Sequence, residues 1–259
     1  MTQSERRLWL INYLKNENPR FSGVETPPDS DGRFKLYRSL VNVRLPSEIS
    51  EEYLEIEDAF LKEENEKKGV VRLEDLTPIC TDYYIWQGDI TSLSADAIVN
   101  AANSQMLGCF VPCHSCIDNC IHTFAGVRLR LECERLMSAQ GFEEPTGRAK
   151  ITPAYNLPCR YVIHTVGPIV SGRLTAEHER LLASCYEKCL ECADKNGLSS
   201  IAFCCISTGV FSFPNKRAAE IAVETVRAYK QMTNSKIKVI FNVFKDTDRE
   251  IYEHIFAGD

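Results

Sequence analysis

The sequence predicts an α/β fold that follows a shorter helical segment. After about residue 76, short apolar runs typical of strands alternate with stretches whose apolar residues recur at helical period. Before that point the chain is polar, and its apolar residues recur at helical spacing. Strands that alternate with helices are typical of a sheet covered by helices on both faces. We therefore expect a helical extension over residues 1–75 and a three-layer α/β domain over residues 76–259.

Three helices are expected in the extension. Ser4 precedes the first apolar stripe and is expected to cap the first helix. The turn-rich stretch 16–32 contains three prolines and separates this helix from a second one over 34–41. The third is expected over 47–68, because acidic residues occupy its first turn and two lysines its end, which suits the helix dipole.

Strands and helices alternate through the α/β domain. The expected strands cover residues 83–86, 97–100, 161–166, 201–206 and 239–244. The expected helices cover residues 117–136, 175–196, 216–230 and 248–256. In sheets of this kind ligands bind beyond the carboxyl ends of the strands. The loops that follow the strands are therefore the candidate site.

The composition excludes several classes of protein. Apolar residues make up 44% of the chain, charged residues 25%, and the formal net charge is -6. That acidic balance provides no electrostatic footprint for nucleic acid, so no nucleic-acid partner is expected. No apolar stretch approaches about eighteen residues and no signal-peptide core is found, so no membrane span is expected. The twelve cysteines are expected to be reduced, mostly structural thiols of a cytoplasmic protein.

Several polar loops follow the expected strands or open the next helix. Asp89 follows the first strand of the domain, Asn103 follows the second, and Gly209 follows the fourth. Each loop taken alone fits a plain structural interpretation, as a turn or a helix cap, at least as well as a functional one. Together they fit a nucleotide. A carboxylate suits the exocyclic amine of a base, an amide suits a ribose hydroxyl, and a glycine lets backbone N–H groups approach a diphosphate.

These stretches, taken in chain order, resemble those of the macrodomain family. The matching motifs are Gly88–Thr91, Ala97–Asn103, Asp118–His122, Tyr161–Pro168 and Ile206–Pro214. They recur in the order that the family has, over roughly residues 76–257. The resemblance implies a three-layer α/β/α fold with a mixed central sheet, and it implies ADP-ribose as the ligand.

The resemblance also implies a role for each matched position. Asp89 matches the residue that reads adenine, Ile90 its neighbour in the adenosine pocket, and Asn103 a contact to the distal ribose. Asp118 matches the acidic residue of the subclass that removes ADP-ribose, so Asp118 and Asn103 are expected to be catalytic. The implied ADP-ribose-binding residues are Asp89, Ile90, Asn103, Ile117, Asp118, Asn119, Ser207, Thr208, Gly209, Val210 and Phe211. Ser212 departs from the glycine of many members, which is expected to alter the rigidity of its loop.

A loop with cysteines and a histidine replaces the glycine run that ordinary hydrolytic macrodomains have before the acidic residue. Two thiols and an imidazole, at Cys109, His114 and Cys116, suit Zn²⁺ and leave a fourth position for water or substrate. The spacing alone fits a loop of buried cysteines with an incidental histidine equally well. The pattern and the helical extension resemble a zinc-containing branch of bacterial macrodomains, which implies Zn²⁺ on these three residues. Cys113 stays a competing ligand.

Other thiols and imidazoles close to these motifs have a structural interpretation. Cys120 and His122 lie on the expected helix and are expected to be packing residues. His164 lies in a strand and is expected to be a core histidine with satisfied hydrogen bonds.

The resemblance implies a zinc-dependent hydrolase that removes mono-ADP-ribose from a modified protein, with an ester to aspartate or glutamate as the expected linkage. Some members of the branch are encoded beside a sirtuin-type ADP-ribosyltransferase and a lipoyl-carrier protein, so a lipoyl-carrier protein is one candidate partner. Two other functions stay open: a domain that binds ADP-ribose without cleaving it, and a deacetylase of O-acetyl-ADP-ribose. A structural zinc module would require four protein ligands and would tolerate changes in the pocket.

Overall fold

A seven-stranded sheet lies at the centre of the α/β part of the computed structural model, which describes residues 1–258. The strands are β1 (Val71–Arg72), β2 (Pro78–Cys80), β3 (Tyr83–Gln87), β4 (Leu93–Ser94), β5 (Ala97–Ala102), β6 (Ala149–Pro153), β7 (Tyr161–Val166), β8 (Ser200–Phe203) and β9 (Lys238–Val243). The order in the sheet is β2-β3-β9-β8-β5-β7-β6, and β1 pairs with β4 in a separate ladder. The five central strands are parallel, whereas β2 and β6 are antiparallel edges. The expected mixed sheet is confirmed.

Helices cover both faces of the sheet and form the N-terminal extension. They are α1 (Gln3–Glu17), α2 (Ser30–Val43), α3 (Glu51–Lys68), α4 (Ile117–Ala125), α5 (Val127–Gln140), α6 (Ala176–Lys195), α7 (Asn215–Thr233) and α8 (Asp246–Ala257). In the α/β part, α4 contacts β5, α6 contacts β6 and β7, and α8 contacts β3 and β9. The three-layer α/β/α prediction is confirmed, and so is the presence of helices before it.

Several of the expected helix boundaries are wrong. The helices expected over 34–41 and 47–68 begin at Ser30 and Glu51. The helix expected over 117–136 is divided at Gly126, which has a φ of 91° and ends α4. Such a φ is readily adopted by glycine and breaks the helical path. The cap of α1 is Thr2 and not Ser4, because Thr2 accepts the backbone N–H of Glu5 while the Glu5 carboxylate accepts the N–H of Thr2.

The strand predictions differ from the structure mainly at the edges of the sheet. The edge strands β2 and β6 lie outside the expected strands. Their pairing is decided by neighbours distant in sequence, so a short run such as Ala149–Pro153 carries a weak local signal. The buried strand expected over 201–206 ends at Phe203, and the residues after it form the next loop.

The extension has its own apolar core and packs on the α/β part. Leu10, Tyr37 and Phe60 are among the fully buried side chains of this core. Glu57 on α3 accepts hydrogen bonds from the Tyr37 hydroxyl (2.7 Å), the Tyr53 hydroxyl (3.0 Å) and the backbone N–H of Val127 (2.8 Å). Burial raises the pKa of the Glu57 carboxyl, although these donors oppose the rise. The extension is therefore held against the start of α5, and the division at residue 75 stays a prediction.

Among residues 1–258, no helix is both long enough and apolar enough to cross a membrane.

Candidate functional site

The carboxyl ends of the five parallel strands meet at one edge of the sheet, and the predicted site residues follow them. Asp89 follows β3 and Asn103 follows β5. The loop 207–211 follows β8 after a short connection. The parallel sheet thus brings together the polar loops that the sequence placed after separate strands.

Asp118 is a buried carboxylate in the first turn of α4. Its side chain is 7% exposed. The Asn100 amide donates to its Oδ1 over 2.8 Å, and the Asn103 amide nitrogen lies 3.5 Å from its Oδ2. Burial raises the pKa of the Asp118 carboxyl to about 6, although the Asn100 donor and the Arg130 charge oppose the rise. The structure therefore brings both predicted catalytic residues together.

Asn100 is a site residue that the sequence analysis left without a role. It is completely buried in β5, and its amide nitrogen also lies 3.1 Å from His164 Nδ1. The Asn100 amide fixes the direction of the Asp118 carboxylate, because Asn100 is itself held in a buried strand of the sheet. The signal was present in the sequence, since Asn100 interrupts an otherwise apolar buried strand.

His122 lies on the same face of α4 as Asp118, one turn later. Its Nε2 is 3.6 Å from Asp118 Oδ1, and neither of its ring nitrogens has a hydrogen-bond partner in the described chain. Burial holds its pKa well below the ordinary value, so the ring is neutral. The sequence analysis expected His122 to be a packing residue, and its burial agrees with that. The sequence analysis did not predict that His122 packs against Asp118.

A buried group of His122, Cys133 and His164 has its ligand atoms within 4.8 Å of one another. This group fits a metal ion poorly. The Asn100 amide donates to His164 Nδ1, so the proton of the neutral ring is on Nε2, which lies 3.0 Å from the Thr152 hydroxyl. His164 is the satisfied core histidine that its place in a strand predicts.

The loop before α4 gathers the three predicted metal ligands. The ligand atoms of Cys109, His114 and Cys116 all lie within 4.8 Å of one another, and Cys109 Sγ is 3.7 Å from His114 Nδ1. Bonds of about 2.0–2.3 Å in a tetrahedral arrangement separate neighbouring ligands by roughly 3.3–3.8 Å. The donor set and its spacing therefore fit Zn²⁺. All three side chains are partly exposed, which leaves a route to the ion position.

Cys113 lies in the same loop but is directed away from this group. Its thiol donates to the backbone carbonyl of Lys35 over 3.3 Å, and its own backbone N–H donates to Asn42 Oδ1 over 2.9 Å. Its φ of 52° turns the chain at this point. The geometry thus favours Cys109, His114 and Cys116 over Cys113, an alternative that spacing left open.

The loop 207–211 presents unused backbone donors. In the described part of the chain, no hydrogen bond uses the backbone N–H of Gly209, Val210 or Phe211. A Cβ added to Gly209 would meet nothing within 4 Å, and this glycine does not have a left-handed φ. The protein itself therefore gives no reason for glycine there, whereas close approach of an anion does. The helix α7 begins at Asn215 and adds a favourable dipole.

Asp89, which follows β3, is a second oriented carboxylate at this edge of the sheet. Its carboxylate accepts the Thr91 N–H over 2.9 Å, the Thr91 hydroxyl over 2.7 Å and the Lys68 ammonium over 3.1 Å. Burial opposes ionisation, but the Lys68 charge and the Thr91 donors hold the pKa of Asp89 below its ordinary value. Ile90 beside it is buried, with 4% of its surface exposed. The carboxylate is therefore ionised and oriented.

Comparison with known proteins decides the family. The family model described as Macro domain matches residues 99–222. A relative in Treponema medium, whose name is protein-ADP-ribose hydrolase, is 56% identical over 99% of this chain and 100% of its own length. The chain belongs to the Macro domain family.

Other members of the Macro domain family extend the comparison. A protein-ADP-ribose hydrolase of Staphylococcus aureus (strain MRSA252) is 49% identical over 97% of this chain and 95% of its own. The solved Trypanosoma brucei macrodomain in complex with ADP-ribose superimposes with a TM-score of 0.66, at 29% identity, over 89% of this chain and 96% of its own. A solved Oceanobacillus iheyensis macrodomain mutant with ADPR gives a TM-score of 0.64 at 37% identity, over 71% and 96%.

Two predicted contacts of this macrodomain have other partners in the structure. The Asn119 amide nitrogen donates to the carbonyls of Cys109 (3.2 Å) and Val111 (2.9 Å), and its oxygen accepts from Arg38. Direct contact of the Asn119 side chain with a ligand would require these bonds to break. Ile117 is half-buried at the start of α4 and packs against the apolar core.

Two residues beside Asp89 were missed by the sequence analysis. Lys68 reaches it from the end of α3, which no local pattern could indicate. Phe244 directly follows β9 and is 74% exposed, and the carbonyl of the residue before it, Val243, accepts the N–H of Gly88 over 3.0 Å. An exposed aromatic ring at a nucleotide site can stack on a base. The signal available in the sequence was a large aromatic residue, Phe244, at the carboxyl end of the last strand.

Proposed function

We propose that this macrodomain is a hydrolase that releases mono-ADP-ribose from a modified protein. The observation that carries the proposal is the buried Asp118 carboxylate, held by Asn100 and Asn103 at the edge of the sheet that also bears the unused donors of loop 207–211. The names of the Treponema and Staphylococcus relatives support the same activity. The two ADP-ribose-bound relatives support the ligand.

The binding part of the proposal assigns one group of the ligand to each loop. The ionised Asp89 accepts a hydrogen bond from the exocyclic amine of adenine, and Phe244 offers a face to the base. The free N–H groups of Gly209, Val210 and Phe211 bind the diphosphate. The loop 207–211 contains no Lys or Arg. The backbone N–H groups of the loop and the dipole of α7 would therefore have to offset the negative charge of the phosphates.

The chemical part of the proposal concerns the distal ribose. Hydrolysis breaks the bond between that ribose and the carboxyl group of the modified protein, and water supplies OH to one product and H to the other. Asp118 orients the attacking water and accepts its proton, and Asn103 holds a ribose hydroxyl. An ester to aspartate or glutamate is the proposed linkage, because a carboxylate leaves readily. A lipoyl-carrier protein is the candidate substrate.

Cys109, His114 and Cys116 are the residues that would hold Zn²⁺ in this enzyme. The thiol and imidazole donors and their spacing support that assignment. When bound with a fourth position open, Zn²⁺ supplies Lewis-acid polarisation of an oxygen next to the reacting bond. The loop that carries these three side chains leads directly into Asp118, so ion position and carboxylate are close in the fold.

A deacetylase of O-acetyl-ADP-ribose is the second candidate function. The acetyl ester of the distal ribose is also cleaved by water, which breaks the acyl C–O bond and gives a carboxylic acid and a ribose hydroxyl, and it needs the same pocket and the same base. The buried hydrogen bonds around Asp118 favour either hydrolase over a domain that only binds, because binding alone does not need an oriented carboxylate at this position.

The test is release of ADP-ribose from a protein modified on aspartate or glutamate, with the zinc content measured in the same sample. We expect Asp118→Ala to lower the rate about 10²–10⁴-fold, because it removes the base, and to leave the Kd for ADP-ribose nearly unchanged. Asp96→Ala is the matched control, since Asp96 lies at the opposite end of β5 and pairs with Arg160. O-acetyl-ADP-ribose is assayed in parallel.

Each outcome has a defined meaning. Tight ADP-ribose binding without release would overturn the hydrolase proposal, and full activity of the Asp118→Ala variant would overturn the role of Asp118. Unchanged activity after removal of zinc would show that the ion shapes the loop and takes no part in the chemistry. Cleavage of the acetyl ester alone would favour the second candidate.

A further inference from the structure

The second helix of the extension contacts the loop that contains Cys109, His114 and Cys116. The Arg38 guanidinium on α2 donates through Nη2 to the backbone carbonyl of His114 over 2.6 Å. It also donates to Asn119 Oδ1, through Nη2 over 2.8 Å and through Nε over 3.3 Å. The loop is thus held by a residue that lies 76 positions before His114 in the chain.

These bonds reach all three of the candidate ligand residues. Arg38 bonds the carbonyl of His114 directly. Asn119, which Arg38 holds by its oxygen, donates through its amide to the Cys109 carbonyl over 3.2 Å. The backbone N–H of Asn119 donates to Cys116 Sγ over 3.4 Å. Arg38 and Asn119 therefore form one hydrogen-bonded unit that fixes the two arms of the loop against each other.

The remaining contacts of Arg38 indicate that its charge is directed to this loop. It forms no ion pair with any carboxylate of residues 1–258, and its other partner is Cys120 Sγ at 3.5 Å. Arginine presents several donors in a fixed planar fork, and here Nε and Nη2 both reach Asn119 Oδ1 while Nη2 also reaches the His114 carbonyl. A lysine ammonium carries three donors on a single nitrogen and lacks the planar fork, so it would not reproduce the contact that two guanidinium nitrogens make with Asn119.

We propose that Arg38 is a positioning residue that holds the Cys109–Cys116 loop in its ligand-binding conformation, so that α2 is part of the catalytic site. The role of the loop rests on the proposed function. Residues that hydrogen-bond the ligands of a metal orient them, and their loss commonly lowers metal affinity about 10–100-fold.

Two measurements on the full chain test the proposal. The first is hydrogen exchange of the amides in residues 109–116 of the metal-free protein. The second is zinc affinity, by competition with a chromogenic chelator. For Arg38→Gln we expect exchange in this segment to rise about tenfold, because the hydrogen bonds to the His114 carbonyl and to Asn119 are lost. We expect zinc affinity to fall about 10–100-fold. For Arg38→Lys we expect both the amide exchange in residues 109–116 and the zinc affinity to lie between the values for Arg38→Gln and the wild type.

The matched control is Arg33→Gln, on the same helix and also partly buried, where the guanidinium donates to the Pro27 carbonyl over 2.8 Å and does not contact the loop. It is expected to leave exchange in residues 109–116 and zinc affinity unchanged. Unchanged exchange and zinc affinity in Arg38→Gln would overturn the proposal. So would a rise in exchange spread over the whole chain in both Arg38 variants.

Failure of this inference and failure of the proposed zinc site give different results. If the wild-type protein binds no zinc, the zinc site is wrong, yet the exchange measurement on metal-free protein still decides whether Arg38 holds the loop. If the wild type binds zinc and Arg38→Gln binds it equally well with unchanged exchange, the role of Arg38 alone is wrong.

Discussion

The two ends of the site are built in opposite ways. At the chemical end, Asp118 is buried, its Oδ1 accepts from Asn100, and the preceding loop is bonded to α2. At the proposed diphosphate end, the loop 207–211 is open, Val210 is 76% exposed, and three consecutive backbone N–H groups have no acceptor in the described chain. One end uses its hydrogen bonds within the protein, and the other leaves them for a ligand.

The difference follows from what each end must do. A group that reacts is effective when its direction is fixed before substrate arrives, because misplacement by about 1 Å can cost roughly 10²-fold in rate. A phosphate-binding loop works through donors that are free until the anion takes them. Changes at the chemical end should therefore affect turnover, and changes at the diphosphate end should affect binding.

The largest effect is expected at the chemical end. Asn100→Ala removes the donor that directs Asp118, so we expect kcat to fall about 100-fold and the Kd for ADP-ribose to change less than about threefold. Release kinetics and calorimetry measure the two quantities. Asn156→Ala is the control, because this buried amide bonds Asp58 and the Ala125 carbonyl, away from Asp118. Equal losses of kcat in both variants would assign the effect to stability.

An intermediate effect is expected at the diphosphate end. Gly209→Val places a branched side chain where the anion approaches, so we expect the Kd for ADP-ribose to rise about 10–100-fold, or about 1.4–2.8 kcal/mol. The free energy of unfolding should not change, since a Cβ at position 209 meets nothing within 4 Å. Gly23→Val is the control at an equally open glycine of the extension. Unchanged binding with a lower melting temperature would contradict the assignment of this loop.

The smallest effect is expected at Ser212, where the sequence departs from the glycine of many members. Its φ is 56°, a left-handed conformation that costs a residue with a Cβ about 1 kcal/mol. Ser212→Gly should raise the free energy of unfolding by up to about 1 kcal/mol in urea titrations, less the greater freedom of glycine in the unfolded chain. Ser212→Ala keeps the Cβ and should not share the gain. Destabilisation by Ser212→Gly would show that the conformation is not strained.

Much of the fold could be predicted from local sequence. Long periodic segments such as α6, and apolar strands such as β7, have boundaries set by residues within them or directly next to them. The edge strand β6 could not be predicted, since it depends on pairing with β7. The break at Gly126 was missed because the helical apolar pattern continues on both sides of it, although its φ of 91° ends the helix. The assignment of Cys109, His114 and Cys116 to Zn²⁺, which comes from the residue types and the resemblance, stays a prediction, and so does the role that the resemblance gives to Asp118.

The sequence by itself determined the order of the elements, the loops after the parallel strands, and the donors that suit a nucleotide and a metal ion, because each depends on residues close together in the chain. The tertiary structure decided which of these side chains have a fixed direction. Asn100 beside Asp118, Lys68 beside Asp89 and Arg38 behind His114 are contacts over 18, 21 and 76 residues. Such contacts form only when helices and strands pack, so a local pattern can mark a residue such as Asn100 as unusual but cannot indicate its partner.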